Sequence, residues 1–270
     1  MPINDINLAG GMRANLTNLQ LIASLQARTT QRLATGRRVN SPVDDPSAYF
    51  AAQNHLSRAS DLAARKDAMG ESLQTVKAAD EGIKAITSLI EQAKGLAASA
   101  KSATAGDRVI LAAQFDALLT QIDQLAGDAS YKGTNLLDSG SMTVSFNEDG
   151  TSSLTVTGFN ASSSGLAIDA AVANWAADAN IDAAVTDLNT GLATLRSNAS
   201  TLSSNNGVIT ARQAFVQGMI NTLTAGADGL TAADTNEEGA NMLALQTRQQ
   251  LGIVALSLSS QAQQSILQLF

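Results

Sequence analysis

Residues 241–270 read NMLALQTRQQLGIVALSLSSQAQQSILQLF, and Arg248 is the only ionisable side chain among them. Apolar residues recur at the three-or-four interval of a helix, but on two faces. Leu251, Ala255, Leu258, Ala262, Ile266 and Leu269 form one stripe, flanked by Val254. Ile253, Leu256, Leu267 and Phe270 form the second, with Ser260 and Gln263 filling its gap. A helix on the surface of a globular domain shows one apolar stripe and a charged back. This segment is therefore expected to be buried on more than one side, either in a domain core or between molecules; the absence of charge favours an interface.

The other end of the chain answers it. Leu8, Met12, Leu16, Leu19, Ile22, Leu25, Thr29 and Leu33 recur at helical spacing, separated mostly by Asn, Gln, Thr and Ser, with Arg13, Arg28 and Arg32 as the charges. Gly36 ends the period, and the run through Asn40, Ser41, Pro42, Asp44 and Asp45 is turn chemistry. Asp45 as N-cap and Pro46 at the first helical position then restart a helix. At 1.5 Å per residue, helices over 4–35 and 237–270 would each be about 50 Å long, which suggests that they lie side by side. Two helices alone leave the second apolar face of 241–270 open. Burial then requires further copies, and identical subunits joined head to tail without ring closure form an open helical filament.

Between the arms, 47–100 is proline-free helical sequence with Leu62, Met69, Leu73, Val76, Ile83, Ile86, Ile90 and Leu96 spaced near seven, a bundle pattern. Ala105-Gly106-Asp107 is expected to break it before a shorter helix that runs to Gly127. From 139 to 164 the period becomes two, predicting a β-hairpin that turns at Asp149-Gly150 and reads as a small exposed cap. Trp175 lies in a piece with no firm pattern. Helix returns over 180–223, and 226–234 reads as a loop. The fold class expected is mainly α: long antiparallel helices in a coiled-coil bundle, a small β-hairpin, and polymerisation through the terminal helices.

Composition narrows the function. The 270 residues contain no Cys and one His, with 17 basic and 24 acidic side chains for a net charge of −7. Thiolate metal sites and cysteine nucleophiles are excluded, and a two-histidine zinc motif cannot be built from His55 alone. The acidic balance argues against sequence-independent nucleic-acid binding. No apolar run reaches about 18 residues, so membrane insertion is not expected; with no leader pattern at the N-terminus, the bare sequence reads as cytoplasmic. Adjacent Asp44 and Asp45 read as capping residues rather than an acid–base pair, and His55 as a surface or interface residue. Asn15, Asn160 and Asn198 sit in sequons that read as chance.

Two motifs carry a family resemblance. Arg32-Leu33-Ala34-Thr35-Gly36-Arg37-Arg38-Val39-Asn40-Ser41 followed by Asp44-Asp45-Pro46, and Asn241 through Leu243-Ala244-Leu245-Gln246-Thr247-Arg248-Gln249-Gln250-Leu251-Gly252 to Leu269-Phe270, resemble the two ends of bacterial flagellins. The resemblance implies a filament subunit used for motility, not an enzyme, without cofactor or metal. It implies an N-terminal arm over 1–45 and a bundle part over 46–138. A variable cap over 139–176, a second bundle part over 177–228 and a C-terminal arm over 229–270 complete the chain. Leu8, Met12, Leu19, Ile22, Leu25 and Leu33 would then pack with Leu251, Ile253, Val254, Leu256, Leu258, Ile266, Leu267, Leu269 and Phe270 across and between subunits. Gly36, Asn40, Ser41, Asp44, Asp45 and Pro46 correspond to the family's spoke and helix cap.

By the same analogy Ser139, Ser141, Ser152, Ser153, Ser162 and Ser163 are candidates for O-glycosylation. Implied partners are further copies of the chain, the hook–filament junction and filament cap proteins, and a flagellar export chaperone, with no nucleic acid. Export without a cleaved signal would place the protein outside the cell. Flagellins detected by the vertebrate Toll-like receptor carry Arg-x-Arg-Glu-Leu-Ala where this chain has Gln92-Ala93-Lys94-Gly95-Leu96-Ala97, so weak receptor activation is expected. The alternatives are a hook–filament junction protein, separable by copy number, and an enzyme displayed on a stalk, which would need a constellated site in the middle segment.

Overall fold

Apolar residues set seven apart build the longest helices of this chain. The computed structural model describes residues 10–267. Leu8, Leu269 and Phe270 lie outside the described residues, as do the side chains of Ile266 and Leu267. The elements in order are α1 (Gly10–Thr35), α2 (Pro46–Lys101), α3 (Ala105–Asp128), β1 (Ser130–Tyr131), β2 (Thr134–Asn135), β3 (Ser141–Ser145) and β4 (Ser153–Thr157). A 3-10 turn at Val172–Trp175, α4 (Asp178–Thr231) and α5 (Thr235–Leu267) complete them. Two compact units result, one of Met1–Ser57 with Thr222–Phe270 and one of Arg58–Asn221.

In the 58–221 unit, α2 buries Leu62, Met69, Val76, Ile83, Ile90 and Ala97 at intervals of seven, and Ala79, Ile86, Ala93 and Ala100 in a second series of sevens. On α4 the matching buried series is Ile181, Leu188, Leu195, Leu202, Ile209 and Val216. A sustained seven-residue repeat keeps the apolar seam facing its partner through a left-handed supercoil. Cross-links fix the direction. Lys66 Nζ donates to Gln217 Oε1 at 2.9 Å, Lys94 Nζ to Asn189 Oδ1 at 2.8 Å, and Lys101 pairs with Asp182. Each advance along α2 is matched by an equal step back along α4, so the helices are antiparallel and in register. α3 adds Ala112, Phe115, Leu119, Ile122 and Ala126, alternating three and four apart.

Three details depart from the sequence expectation. The break before α3 is at 102–104 rather than at Ala105-Gly106-Asp107, which instead forms the first helical turn. Thr104 Oγ1 both accepts from the Asp107 N–H and donates to Asp107 Oδ2 at 2.7 Å, a Thr-x-x-Asp cap that places the N-terminus there. The β3–β4 hairpin pairs Met142 with Val156 and Val144 with Leu154. It is not simply an exposed cap, because Val144, Phe146 and Val156 are buried and the Arg212 guanidinium lies 5.1 Å from the Phe146 ring centroid. Finally, α4 continues through Gly226 and Gly229 to Thr231, so the expected loop over 226–234 shrinks to 232–234. A helical glycine costs about 1 kcal/mol, and burial of Leu223, Ala227 and Thr231 on one face offsets it.

Trp175 has a definite place. It is fully buried, with its ring centroid 5.0 Å from that of Phe115, while Asp116 Oδ1 accepts the Ala171 N–H at 2.8 Å just upstream. Ala173, Asn174 and Trp175 all take positive φ, of 49°, 48° and 59°. Left-handed backbone costs a non-glycine residue about 1–2 kcal/mol, and here it turns the indole inward onto α3.

Candidate assembly surface

In the terminal unit α1 packs along α5. On α1 the less exposed positions are Met12, Asn15, Leu19, Ile22, Leu25, Gln26, Thr29, Arg32 and Leu33; on α5 they include Glu238, Met242, Leu245, Gln249, Gly252, Leu256 and Ser259. The three-four alternation is that of a coiled-coil seam, but a polar one. At Gly252 the missing side chain makes room for α1, since a Cβ there would lie 2.6 Å from Leu19 Cδ2. Arg32 Nη1 donates to Glu238 Oε1 at 2.7 Å, tying the end of α1 to the start of α5.

The seam takes up only part of the apolar surface. Met12, Leu19, Ile22, Leu25, Leu33 and Leu256 lie along it, whereas Leu251, Ile253, Val254 and Leu258 face outward with Leu16, Leu21 and Leu243. Leu258 keeps 67% of its surface exposed. Contiguous exposed leucines are the mark of an interaction surface. Glu238, Met242 and Gly252 are seam residues that the sequence reading did not single out. A lone glycine within an otherwise helical pattern, as at Gly252, was the one available signal.

The turn that joins α1 to α2 is heavily hydrogen-bonded. Gly36 takes φ +67° and its carbonyl accepts the Ala233 N–H at 2.9 Å; the Thr231 carbonyl accepts from Arg38 at 2.7 Å. Asn40 Nδ2 donates to the Arg37 carbonyl at 2.9 Å. Asp44 Oδ2 accepts the backbone N–H of Asn40 at 3.1 Å and of Ser41 at 3.0 Å, and the Ser41 hydroxyl at 3.1 Å. Asp45 Oδ1 accepts the Ala48 N–H at 3.0 Å, and Pro46 opens α2.

The hydrogen bonds from Asn40, then those from Ser41, hold the Asp44 carboxyl below its ordinary value. The bound form is the charged one, so the stabilisation is present above the usual carboxylate range and is lost as pH falls through the lowered value. Asp44→Asn should therefore flatten the acid side of the Tm-against-pH curve relative to the unaltered chain. Superimposable acid limbs in thermal melts would contradict this.

Among the described residues no three His, Cys, Asp or Glu side chains converge as a metal site. Of the six candidate serines, Ser139, Ser141 and Ser153 are exposed. Ser163 Oγ instead donates to Asp123 Oδ2 at 3.2 Å, and Ser162 Oγ shares a hydrogen with Ser164 Oγ at 2.9 Å.

The sequence that folds this way, with helices from both ends of the chain paired in one unit and a heptad bundle in the other, matches those of known proteins along its length. The bacterial flagellin N-terminal helical region matches residues 3–143, and the bacterial flagellin C-terminal helical region matches residues 179–270. Flagellin FljM of Caulobacter vibrioides is 31% identical over the whole of both chains. A flagellin of Brucella melitensis is 30% identical over 94% of this chain and 96% of its own. A crystal structure of Bacillus cereus flagellin aligns with 55% of this chain and 87% of that one, at TM-score 0.48 and 18% identity.

The chain belongs to the bacterial flagellins, a structural family, and is a filament subunit of the flagellum. The flagellar filament is extracellular, which replaces the cytoplasmic reading of the bare N-terminus. No described helix is long and apolar enough to cross a membrane.

Proposed function

We propose that the filament is built through the outward faces of α1 and α5, with Leu251, Ile253, Val254 and Leu258 buried against neighbouring copies. The observation that carries this is the row of exposed leucines on a helix already paired along its other side. Ile266, Leu267, Leu269 and Phe270 extend the same pattern in the sequence. Burial of each such side chain is worth about 1.5–3 kcal/mol, enough in series to drive association. Electron microscopy of purified chain, seeded or salted out, should show long uniform filaments; chain that stays monomeric under all such conditions would refute the reading.

The role is structural, with no catalysis. Filament cap and hook–filament junction proteins, and an export chaperone, are the further partners. The exposed hydroxyls of Ser139, Ser141 and Ser153 are the places for O-linked sugar, and intact-mass measurement of native filaments tests this by discrete increments.

Receptor activation is expected to be weak. Gln92, Gly95, Leu96 and Ser99 of α2, with Gln114 and Leu118 of α3, line an open trough without a charged residue. The charge-assisted contacts that an Arg and a Glu would supply at 92 and 95 are missing. A reporter-cell assay on purified monomer checks this, and a full response would overturn it.

A further inference from the structure

Between α1 and α5 lies a cavity of about 300 Å³. Its floor includes Thr29 and Leu245, both buried, and its lining includes Arg28, Arg32, Arg248 and a single carboxylate, Glu238. That carboxylate engages one nitrogen of Arg32, and Arg32 Nε is buried with no hydrogen-bond partner. Arg28 and Arg248 are exposed and make no hydrogen bond or ion pair with any described residue. Glu238, and Asp44 from outside the groove, act on Arg32, which leaves Arg28 and Arg248 without a carboxylate. Their planar, forked donors suit a second carboxylate better than they suit water.

Along α1 and α5 as a whole four arginines, Arg13, Arg28, Arg32 and Arg248, stand against two carboxylates, Glu237 and Glu238, in a chain with 24 acidic residues against 17 basic ones. Arg248 also stands one helical turn before exposed Leu251, which puts the groove next to the apolar assembly face along α5.

We propose that this groove receives an Asp or Glu side chain from a second copy of the chain, giving the apolar interface a fixed register. The proposal rests on the filament reading above. In a polymer of identical acidic subunits, the neighbour supplies the charge that the groove lacks.

The test uses Arg248→Lys and, in parallel, Arg28→Lys, each placing a carbodiimide-reactive amine on one wall of the groove. A minority of unlabelled variant is co-assembled with nitrogen-15-labelled unaltered chain, treated with a zero-length carbodiimide and digested. The expected product joins an unlabelled peptide carrying the new lysine to a labelled peptide carrying Asp or Glu. The Arg28→Gln/Arg248→Gln chain should need about tenfold more protein to polymerise, the worth of one charge-assisted hydrogen bond, and should lose most of the salt dependence. Filaments in which the new lysines couple only within their own chain, or not at all, overturn this inference and leave the filament reading standing. Failure of the unaltered chain to polymerise overturns both.

Discussion

Leu258→Asp is expected to abolish polymerisation while leaving the 58–221 unit folded. In the separate chain Leu258 is 67% exposed, so a carboxylate there meets water and costs little. In the filament the same position loses the burial of a leucine, about 1.5–3 kcal/mol, and must bury a charge with no designed partner, a penalty of several kcal/mol more. The loss recurs at every subunit added. At 1.4 kcal/mol per tenfold, a combined cost of about 4 kcal/mol raises the protein concentration needed for growth roughly a thousandfold. Sedimentation of polymer gives the first half of the result, and unchanged far-UV circular dichroism of the soluble chain gives the second. Removal of the last helical turn should behave alike. Full-length filaments of the Asp variant at the ordinary concentration would refute the assembly face. Leu256→Ala is a useful contrast, because Leu256 lies on the seam with α1 and its loss weakens the helix pair before any neighbour arrives.

Trp175→Ala should destabilise the 58–221 unit by about 3–5 kcal/mol, the usual cost of truncating a buried aromatic. That is a large part of the 5–15 kcal/mol that holds a typical domain. The indole is fully buried against Phe115, and three left-handed residues are held in place to put it there; without the ring nothing repays that backbone strain. Trp175→Phe should lose far less. It keeps the contact with Phe115 and removes Nε1, which is buried without an acceptor at a cost of about 1–3 kcal/mol. Urea unfolding followed by circular dichroism separates the two, and an unchanged midpoint for the Ala variant would show that the ring does not anchor the turn.

Local patterns in the sequence were sound guides wherever one element decides its own structure. The sevens through Leu62, Met69 and Val76 gave the bundle, the alternation through Met142 and Val144 gave the hairpin, and Asp45-Pro46 gave the start of α2. Apart from the start of α3, moved by the local Thr104–Asp107 cap, what escaped depends on distant partners. Trp175 is buried because of Phe115, sixty residues earlier on another helix, and no periodicity surrounds it. The Arg32–Glu238 pair joins residues 206 apart in the chain.

The terminal seam is the more instructive case. Both stripes of α5 look like core, yet the side taken up by α1 is the one that runs through Glu238, Gln249 and Gly252, and the leucines of the other stripe stay exposed. Hydropathy shows that a face must be covered; it does not say whether a helix of the same chain or of a neighbour covers it. Gly226 and Gly229 were read as loop for a related reason, since glycine marks a break only where the backbone needs a positive φ, and neither does here.

Because Trp175 is the sole tryptophan of the chain and belongs to the 58–221 unit, the protein carries a single indole, on one side of its division of labour. Its emission should be blue-shifted in the native chain and move to the red only when the bundle opens. Helix pairing and growth at the other unit contribute no indole signal of their own. Light scattering and tryptophan emission recorded on one sample would thus follow polymer growth and subunit integrity as two independent optical channels.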